Sequence, residues 1–597
     1  MSFVRQAAAA SSTSSLSRAS GPRDAAARAA LVDVALGRRP ADLVVKNAQV
    51  YNPFIRAFER GDLAVAAGRS AGLGSFRGLA EVDARGGWLL PGFFDAHVHL
   101  ESSMTGPAEF ARTVCAAGTT TVVADPHEIA NVAGLAGLEW LLAATENLPI
   151  NVLIMLPSCV PATPLERGGA ALSAADLAPW LGRPRVLGLG EMMNFPGVLA
   201  AAPEVTAKLA LAELVDGHSP GLSGAALAAY VGAGVSTDHE CVSPAEAAER
   251  LALGMRVMLR EGTAAKNLLA LLPATTPANS PFCLFATDDR HARDLLEEGG
   301  VNHMVALAVA AGFDLPSVLN MAAFNGPLHY GLRDLGALTP GFRADMALYP
   351  DLTTFKPALV WKDGRLAARD GQALLDEASG ETVDDAAVRG TVRLGELSSE
   401  SLRVPAVGPR LRAVGVTPGQ VVTRHVILSP QPRAGLYEAD PAADLAKLAV
   451  WNRYEAGGRP AVGFIQGLGL RRGALASTVG HDSHNLICAG ADDADMLECA
   501  RLLERMDGGL ALVLGGRELA SLPLPLGGLM SDRPMAETAA ALERLTVAGR
   551  ALGFDGRLDP FMTLAFMSLP VIPSLKLTAA GLVDVEAFRL VETVLPA

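Results

Sequence analysis

The feature that most constrains the fold is a central segment in which short apolar runs alternate with Ala/Leu-rich helical patterns. Regular alternation of strands and helices is typical of parallel α/β folds, and eight such units in roughly 200–250 residues match a (β/α)8 barrel. We therefore predict an α/β protein with this barrel at its centre. The predicted strands are Trp88–Leu100, Thr119–Asp125, Ile150–Leu156, Val186–Glu191, Ala212–Asp216, Val235–Asp238, Arg256–Arg260 and Cys283–Asp288.

Two strand-rich pieces flank this segment. The first contains Asp42–Lys46 and Asp62–Val65, and the second contains Gly341–Tyr349 and Ala358–Lys362 before an Asp-Gly turn, which indicates a hairpin. We predict that both flanks build one small β-sandwich domain and that an α+β domain follows. The predicted boundaries are 1–29 for a disordered tail, 30–90 and 337–395 for the β-sandwich domain, 91–336 for the barrel and 396–597 for the C-terminal α+β domain.

Composition limits the classes of function. The net charge of −13 and the pI near 5.4 argue against nucleic acid or an anionic membrane as a partner. No run approaches the ~20 apolar residues of a membrane span. The six cysteines form no CxxC pair, so we expect reduced thiols, with a Cys488–Cys499 redox pair as the alternative. We expect a cytoplasmic enzyme, although the Ala/Ser/Arg-rich start also fits a transit peptide.

His97 and His99 are the strongest local indication of chemistry. Residues two apart in a strand point to the same side, so both imidazoles can face the barrel axis near the end where barrel enzymes work. Two converging imidazoles can begin a divalent metal site, or they can be two histidines on one face of a half-exposed strand. The HxH pattern alone does not separate these two interpretations.

Most other predicted barrel strands also end in side chains that can bind metal. One terminal His or Asp is usually a cap or a solvated loop residue, but six strands that end this way favour a metal site over independent coincidences. These residues are His97 and His99 on strand one, Asp125, His127 and Glu128 after strand two, Glu191 on strand four, Asp216 and His218 at strand five, Asp238, His239 and Glu240 at strand six, and Asp288 and Asp289 at strand eight.

This set predicts a binuclear metal site in which Glu191 bridges the two ions. A water between two cations becomes hydroxide near neutral pH. Asp288 would take the proton of that water and pass it to the leaving group, or it would serve as a ligand only. The predicted ligands are His97, His99 and Asp288 for one ion, and His218 and His239 for the other.

Nine sequence blocks extend beyond these ligands, six in the predicted barrel and three in the C-terminal domain. They read PGFFDAHVHLESSM, ADPHEIANV, LGEMMNFPGV, DGHSPGL, STDHE, ATDDRH, GHDSHNLICAG, LPLPLGGLMSD and PFMTLAFMSLPVIPSLKLT. These blocks resemble those of the bacterial-type adenine deaminases, a family of the amidohydrolase superfamily, over roughly residues 40–597. The HxH pair is common to the superfamily, whereas HVHLESSM with the C-terminal blocks is far more specific.

The resemblance implies hydrolysis of adenine to hypoxanthine and ammonia, by attack of a metal-bound hydroxide on C6 of the purine. It implies metal roles for the six residues of the binuclear set, with manganese or iron(II) as the metal. We also expect adenine as a small-molecule partner and a homo-oligomer, a dimer. The further site residues are Glu101 and His127 for catalysis beside Asp288, and Asp125, Glu128, His481, Asp482 and His484 for substrate binding. The last three would reach the site from the C-terminal domain, or they would form a loop network within that domain.

Other functions remain open at this point. Many cyclic amidases of the dihydroorotase or hydantoinase type bridge their metals with a carbamylated lysine on strand four, but that position is Glu191 and no lysine is close by. A catalytically inactive barrel that serves as an assembly scaffold typically loses ligands, whereas every expected position is filled here. A metal-loaded protein that binds purines without turnover would carry the same residues.

Overall fold

The structure is a computed structural model that describes residues 24–374, 383–418 and 420–596. Parallel strands curl around a central axis, paired as one sheet of five and one sheet of three. The first and last of these strands meet at a backbone bridge between Val98 and Asp288, which closes the ring and confirms the expected barrel-like fold. The eight strands are Phe93–Val98, Thr119–Ala124, Asn151–Leu156, Val186–Met192, Val215–Gly217, Thr237–Asp238, Arg256–Arg260 and Cys283–Ala286.

Alternate side chains of the barrel strands face its interior. Phe94 and Ala96 of the first strand belong to an inner cluster with Tyr330. Phe93 and Val122 belong to the larger cluster that includes the surrounding helices. Successive side chains of a strand point to opposite faces, so a strand that is buried on both faces needs a continuous apolar run. For this reason, the barrel strands can be predicted from apolar runs in the sequence.

The first predicted strand, Trp88–Leu100, is two strands, which corrects that prediction. Trp88–Pro91 pairs with Met346–Tyr349 of the C-terminal flank, and the barrel strand begins after it. Between them lies Gly92, where a Cβ would stand 2.1 Å from the hydroxyl oxygen of Thr120. The chain can change sheets at this point because glycine has no side chain.

The Ala/Leu-rich residues 291–311 that follow the last barrel strand do not form one continuous helix. They form the two helices Ala292–Glu297 and Val301–Ala310. Gly299 lies between them with a φ of +101°, in the left-handed region that commonly ends a helix.

The beginning of the chain differs from the expected tail of residues 1–29. Residues 1–23 lie outside the described residues. The helix Ala25–Ala35 begins directly after them, because the Asp24 carboxylate accepts the N–H groups of Ala26 and Ala27 as an N-cap. The expectation of a disordered tail is therefore wrong for residues 25–29.

Strands from both flanks of the barrel form one nine-stranded sheet. Trp88–Pro91 joins the two flanks, because it pairs in parallel with Ala41–Asn52 and antiparallel with Met346–Tyr349. Gly78–Asp83 also pairs with Ala41–Asn52. The order of the other strands is Gln372–Ala373, Arg365–Arg369, Leu359–Lys362, Met346–Tyr349, Trp88–Pro91, Ala41–Asn52, Ala57–Ala66 and Arg69–Gly74.

The C-terminal part is built on a second nine-stranded sheet. Its helix Met535–Gly549 packs against the barrel helix Ala292–Glu297, so this part lies directly beside the barrel. The strand order is Arg424–Leu428, Arg410–Gly415, Ala461–Gln466, Leu445–Trp451, Leu486–Gly490, Ala474–Ser477, Gly509–Leu514 and Arg517–Pro523, with Val594–Leu595 paired to Arg410–Gly415. Smaller sheets consist of Val404–Pro405 with Leu436–Tyr437, and of Leu575–Thr578, Gly581–Asp584 and Arg589–Val591.

Most of the helices follow barrel strands or cover the C-terminal sheet. None of the described helices is both long and apolar enough to cross a membrane. All six cysteines are buried, and none of them forms a disulfide. Besides those already named, the α-helices are Pro107–Ala116, His127–Ala144, Ala174–Leu177, Phe195–Leu199, Pro203–Leu209, Gly224–Gly232, Pro244–Ala252, Leu268–Leu271, Leu315–Leu319, Asn325–His329, Asp493–Arg505 and Pro560–Ala565. A π-helix spans Asn320–Phe324, and 3-10 turns span Glu101–Ser103, Ala178–Trp180, Leu272–Ala274, Ser280–Phe282, Asp385–Val388, Ser399–Leu402, Pro441–Ala443, Arg550–Leu552 and Phe566–Ser568.

We predict that Thr287→Val lowers the thermal unfolding midpoint by weakening the closure of the barrel. The N–H and hydroxyl of Thr287 donate to the two carboxylate oxygens of buried Asp95, at 3.0 and 2.5 Å. Valine keeps the shape but removes the hydroxyl donor, which costs about 1–3 kcal/mol. Differential scanning fluorimetry measures the shift, with the exposed Thr206→Val as the matched control. Equal midpoints for the two variants would contradict this role.

Candidate active site

The candidate active site lies where the carboxyl ends of the barrel strands converge. The N–H of Asp288 donates to the His97 carbonyl at 3.0 Å, and the N–H of His99 donates to the Asp288 carbonyl at 3.4 Å. The register between the first and second strands shifts between Asp95 and Val98, an irregularity of the kind that re-aims side chains. These contacts fix the first and eighth strands so that three predicted ligands meet.

His97, His99 and Asp288 form a compact, buried group. The Nε2 atoms of the two histidines are 3.2 Å apart, and Asp288 Oδ1 lies 3.5 Å from His97 Nε2 and 3.1 Å from His99 Nε2. Nδ1 of His99 is 2.9 Å from the Asp125 carbonyl, to which it can only donate. In the neutral ring, the lone pair is therefore on His99 Nε2, where a cation can bind it. The donor atoms therefore fit a divalent metal.

Glu191 lies at the centre of the predicted ligand set. Its Oε1 is 3.3 Å from His99 Nε2 and 3.9 Å from His97 Nε2. Its Oε2 is 2.9 Å from His218 Nδ1 and 3.2 Å from His239 Nε2. One carboxylate thus faces two groups of histidines, with one oxygen turned towards each group.

Asp125 and His127 lie against Glu191. Asp125 Oδ2 accepts the backbone N–H of Glu191 at 2.7 Å, and its other oxygen is 3.4 Å from His127 Nδ1. The same His127 nitrogen is 3.4 Å from Glu191 Oε1. Asp125 therefore fixes the backbone of the central glutamate, a contact that its expected substrate role did not include.

Burial and mutual contacts set the charges of the site. Burial alone lowers the pKa of His99 and His239, but the adjoining carboxylates, Asp288 and Glu191 for His99 and chiefly Glu191 for His239, raise both pKa values well above the usual range. Burial raises the pKa of Glu191, yet the surrounding histidines hold it well below its usual value. Glu191 is therefore ionised, as a metal-binding carboxylate must be.

Arg260 and Glu240 also belong to the site; the sequence predicted Glu240 only as one of the strand-end residues that can bind metal, and it did not predict Arg260. Arg260 ends the seventh strand and donates to Asp288 Oδ2 at 2.9 Å and to the Glu240 carboxylate. Glu240 Oε1 lies 3.3 Å from His239 Nε2 and 3.6 Å from His218 Nδ1. The position of Arg260 at a strand end was the signal that could have identified it, because barrel chemistry concentrates there.

One loop of the C-terminal domain reaches the barrel site. Asp482 Oδ1 is 3.9 Å from His127 Nε2, and His481 Nδ1 is 3.5 Å from Glu128 Oε1. His484 joins His481 and Glu128 in a group whose nitrogen and oxygen atoms lie within 4.8 Å of one another. The structure thus brings the three expected C-terminal residues next to residues of the barrel.

Two buried carboxyl groups, Glu101 and Glu128, lie beside these histidines. The N–H of Ile129 donates to Glu101 at 3.2 Å, while the Ser102 hydroxyl donates to Glu128 at 3.4 Å and to Asp289 at 2.5 Å. Burial raises the pKa of both glutamates. A cavity of about 240 Å³ opens beside them, lined by Ser102, Asp289 and residues of the C-terminal domain. The cavity therefore reaches Ser102, whose hydroxyl contacts Glu128.

Comparisons with known proteins agree with this arrangement. The amidohydrolase family model matches residues 88–367, and the model of the adenine deaminase C-terminal domain matches residues 420–589. Adenine deaminase 2 of Carboxydothermus hydrogenoformans is 53% identical over 94% of this chain and 98% of its own length. The adenine deaminase of Nitratidesulfovibrio vulgaris strain Hildenborough is 49% identical over 94% and 97%, and that of Geobacillus kaustophilus is 42% identical over 92% and 96%. This chain therefore belongs to the adenine deaminase family of the amidohydrolases.

Proposed function

We propose that this protein hydrolyses adenine to hypoxanthine and ammonia. The observation that carries the proposal is the position of the Glu191 carboxylate between two groups of buried histidines, in a chain of the adenine deaminase family. Hydrolytic removal of an amino group from a purine requires an activated water and a proton for the departing nitrogen. The metal-binding and carboxylate side chains gathered here could meet both requirements.

We infer that the site holds two divalent cations, manganese or iron(II). When bound, the cations would supply Lewis-acid activation of the attacking water. The mixed set of imidazole and carboxylate donors suits these ions better than calcium, which takes oxygen ligands. The residues that would hold them are His97, His99 and Asp288 for one ion, His218 and His239 for the other, and Glu191 between the two.

Asp288 is the proposed proton carrier. Its Oδ1 faces His97 and His99, while Arg260 holds its Oδ2. Asp288 would accept a proton from water as the oxygen attacks C6, and would deliver it to the amino nitrogen as the C6–N bond breaks. Ammonia then leaves neutral, and the remaining hydroxyl proton moves to a ring nitrogen as hypoxanthine forms.

His484 is suited to recognise a ring nitrogen of the purine. The Gly480 N–H donates to His484 Nδ1 at 3.3 Å, so the hydrogen of the neutral ring is on Nε2. Burial and the neighbouring His481 lower the pKa of His484 well below its usual value, which keeps the ring neutral. Its Nε2 is buried without a hydrogen-bond partner among the described residues, and a purine nitrogen would accept from it. The same tautomer argues against a third cation beside Glu128, because a metal needs the Nε2 lone pair.

The other expected residues lie around the same group of ligands. Electrostatic interaction with His99 and His127 supports proton handling by Glu101. Contacts among the central residues support proton handling by His127, and substrate binding by Asp125, Glu128, His481 and Asp482. We also propose that this conversion serves purine salvage, and we retain the expectation of a cytoplasmic homodimer.

Two other functions have less support. A cyclic amidase that relies on a carbamylated lysine would need that lysine where strand four carries Glu191. An inactive scaffold would have no need for the convergence of buried histidines around that carboxylate. Both alternatives can be tested with the same purified protein.

The manganese-loaded protein is expected to convert adenine to hypoxanthine with release of ammonia. Asp288→Asn is expected to lower kcat by about 10²–10⁴-fold, because an amide cannot carry the proton. Ultraviolet spectra and an ammonia assay measure both, with dihydroorotate and a hydantoin as alternative substrates. Opening of either ring while adenine stays intact would identify a cyclic amidase instead. Failure to turn over all three would favour the scaffold.

Glu191→Gln is expected to lower the bound manganese from about two ions per chain to one or fewer, because a neutral amide is a poor bridge between cations. Elemental analysis after gel filtration measures the content. Glu261→Gln is the matched control, since Glu261 is a buried carboxyl at a barrel strand end that accepts the Leu268 N–H and is not a proposed ligand. Equal metal contents in the two variants would exclude the bridging role.

A further inference from the structure

Three successive residues of one barrel loop, Leu165 to Arg167, contact the C-terminal domain. The Thr578 hydroxyl donates to the Leu165 carbonyl at 2.8 Å, and the side-chain amide of Asn485 donates to the Arg167 carbonyl at 2.6 Å. The middle residue, Glu166, makes its contact through its side chain instead. Two carbonyls and one carboxylate therefore join the barrel to the C-terminal domain at one place.

Glu166 is buried, and both oxygens of its carboxyl group are engaged. The Ser483 hydroxyl donates to Oε2, and the Thr163 N–H donates to Oε1 at 3.0 Å. Burial and the nearby Asp482 carboxylate raise the pKa of Glu166 to about 8. Placing a carboxyl group in such surroundings costs stability. Packing alone would therefore favour an apolar residue at this position.

Ser483 lies in the loop of the C-terminal domain that reaches the active site, residues 480–485, which we call the cap loop. It directly follows Asp482, whose carboxylate is 3.9 Å from His127 Nε2. The Ser483 carbonyl accepts the Tyr454 hydroxyl at 2.6 Å. Because the hydroxyl and the carbonyl of Ser483 are both bound, the direction of the adjoining Asp482 side chain is restricted.

The same barrel loop is also bonded to the helix that begins with His127. The N–H of Gly169 donates to the Asn131 carbonyl at 2.7 Å, and the Asn131 side chain donates to the His127 carbonyl at 3.0 Å. One loop of the barrel is thus connected to both sides of the contact between His127 and Asp482.

We propose that Glu166 is a positioning residue for adenine deamination, which sets His481 and Asp482 of the cap loop against the barrel site by holding Ser483. This inference rests on the proposed function. Glu166 acts through Ser483, and its own bonds are to the barrel loop and to that hydroxyl. Displacement of active-site groups by about 1 Å can lower a rate about 100-fold, so loss of this contact is measurable.

Glu166→Ala and Ser483→Ala are each expected to lower kcat/KM for adenine by about 10- to 100-fold, and the double variant by no more than the larger single effect. Glu166→Gln is expected to recover most of the activity, because its amide can accept from Thr163 and donate to Ser483. Thr578→Val is the matched control. It removes a contact of the same barrel loop away from the cap loop and is expected to keep kcat/KM within about twofold.

Hydrogen exchange supplies a readout that does not depend on turnover. Glu166→Ala is expected to speed exchange across the cap loop, whereas Thr578→Val and Glu166→Gln are not. Unchanged exchange in Glu166→Ala, additive losses in the double variant, or equal effects of Glu166→Ala and Thr578→Val would each overturn the inference. Absence of adenine turnover in the unsubstituted protein would refute the proposed function, while the exchange data would still show whether Glu166 holds the cap loop.

Discussion

The carboxylate of Glu191 is buried among imidazoles that come from different strand ends of the barrel, and the rest of the site depends on this contact. A buried negative charge is tolerated only where positive or hydrogen-bonding partners surround it. His99 faces one oxygen, while His218 and His239 face the other. Asp125, which follows the second strand, fixes the backbone of this glutamate on the fourth strand. Contacts with this one glutamate therefore link the ends of at least five strands.

The two domains around the barrel contribute in different ways. The flanking sheet holds the strand before Gly92, after which the barrel strand leads directly to His97 and His99. The C-terminal domain brings the cap loop to His127 and Glu128 of the barrel. Separate family models match residues 88–367, which contain the barrel, and residues 420–589 of the C-terminal domain.

The barrel and most members of the candidate site could be predicted from the sequence, because buried parallel strands are continuous apolar runs and their ends carry the polar residues. The division of Trp88–Leu100 could not, since no polar side chain interrupts residues 88–94 and the two strands differ in their partner strands. Arg260 lies at a strand end, but nothing in the sequence around it indicates that Asp288 is its partner. Glu166 meets Ser483, 317 positions away, and no local pattern encodes such a contact.

Anomalous diffraction at the manganese edge, from crystals of the manganese-loaded protein, tests the central role of Glu191 most directly. We expect two peaks, one beside each carboxylate oxygen of Glu191, the first near His97, His99 and Asp288 and the second near His218 and His239. A single peak, or a peak enclosed by Glu128, His481 and His484 instead, would contradict the bridging role of this glutamate.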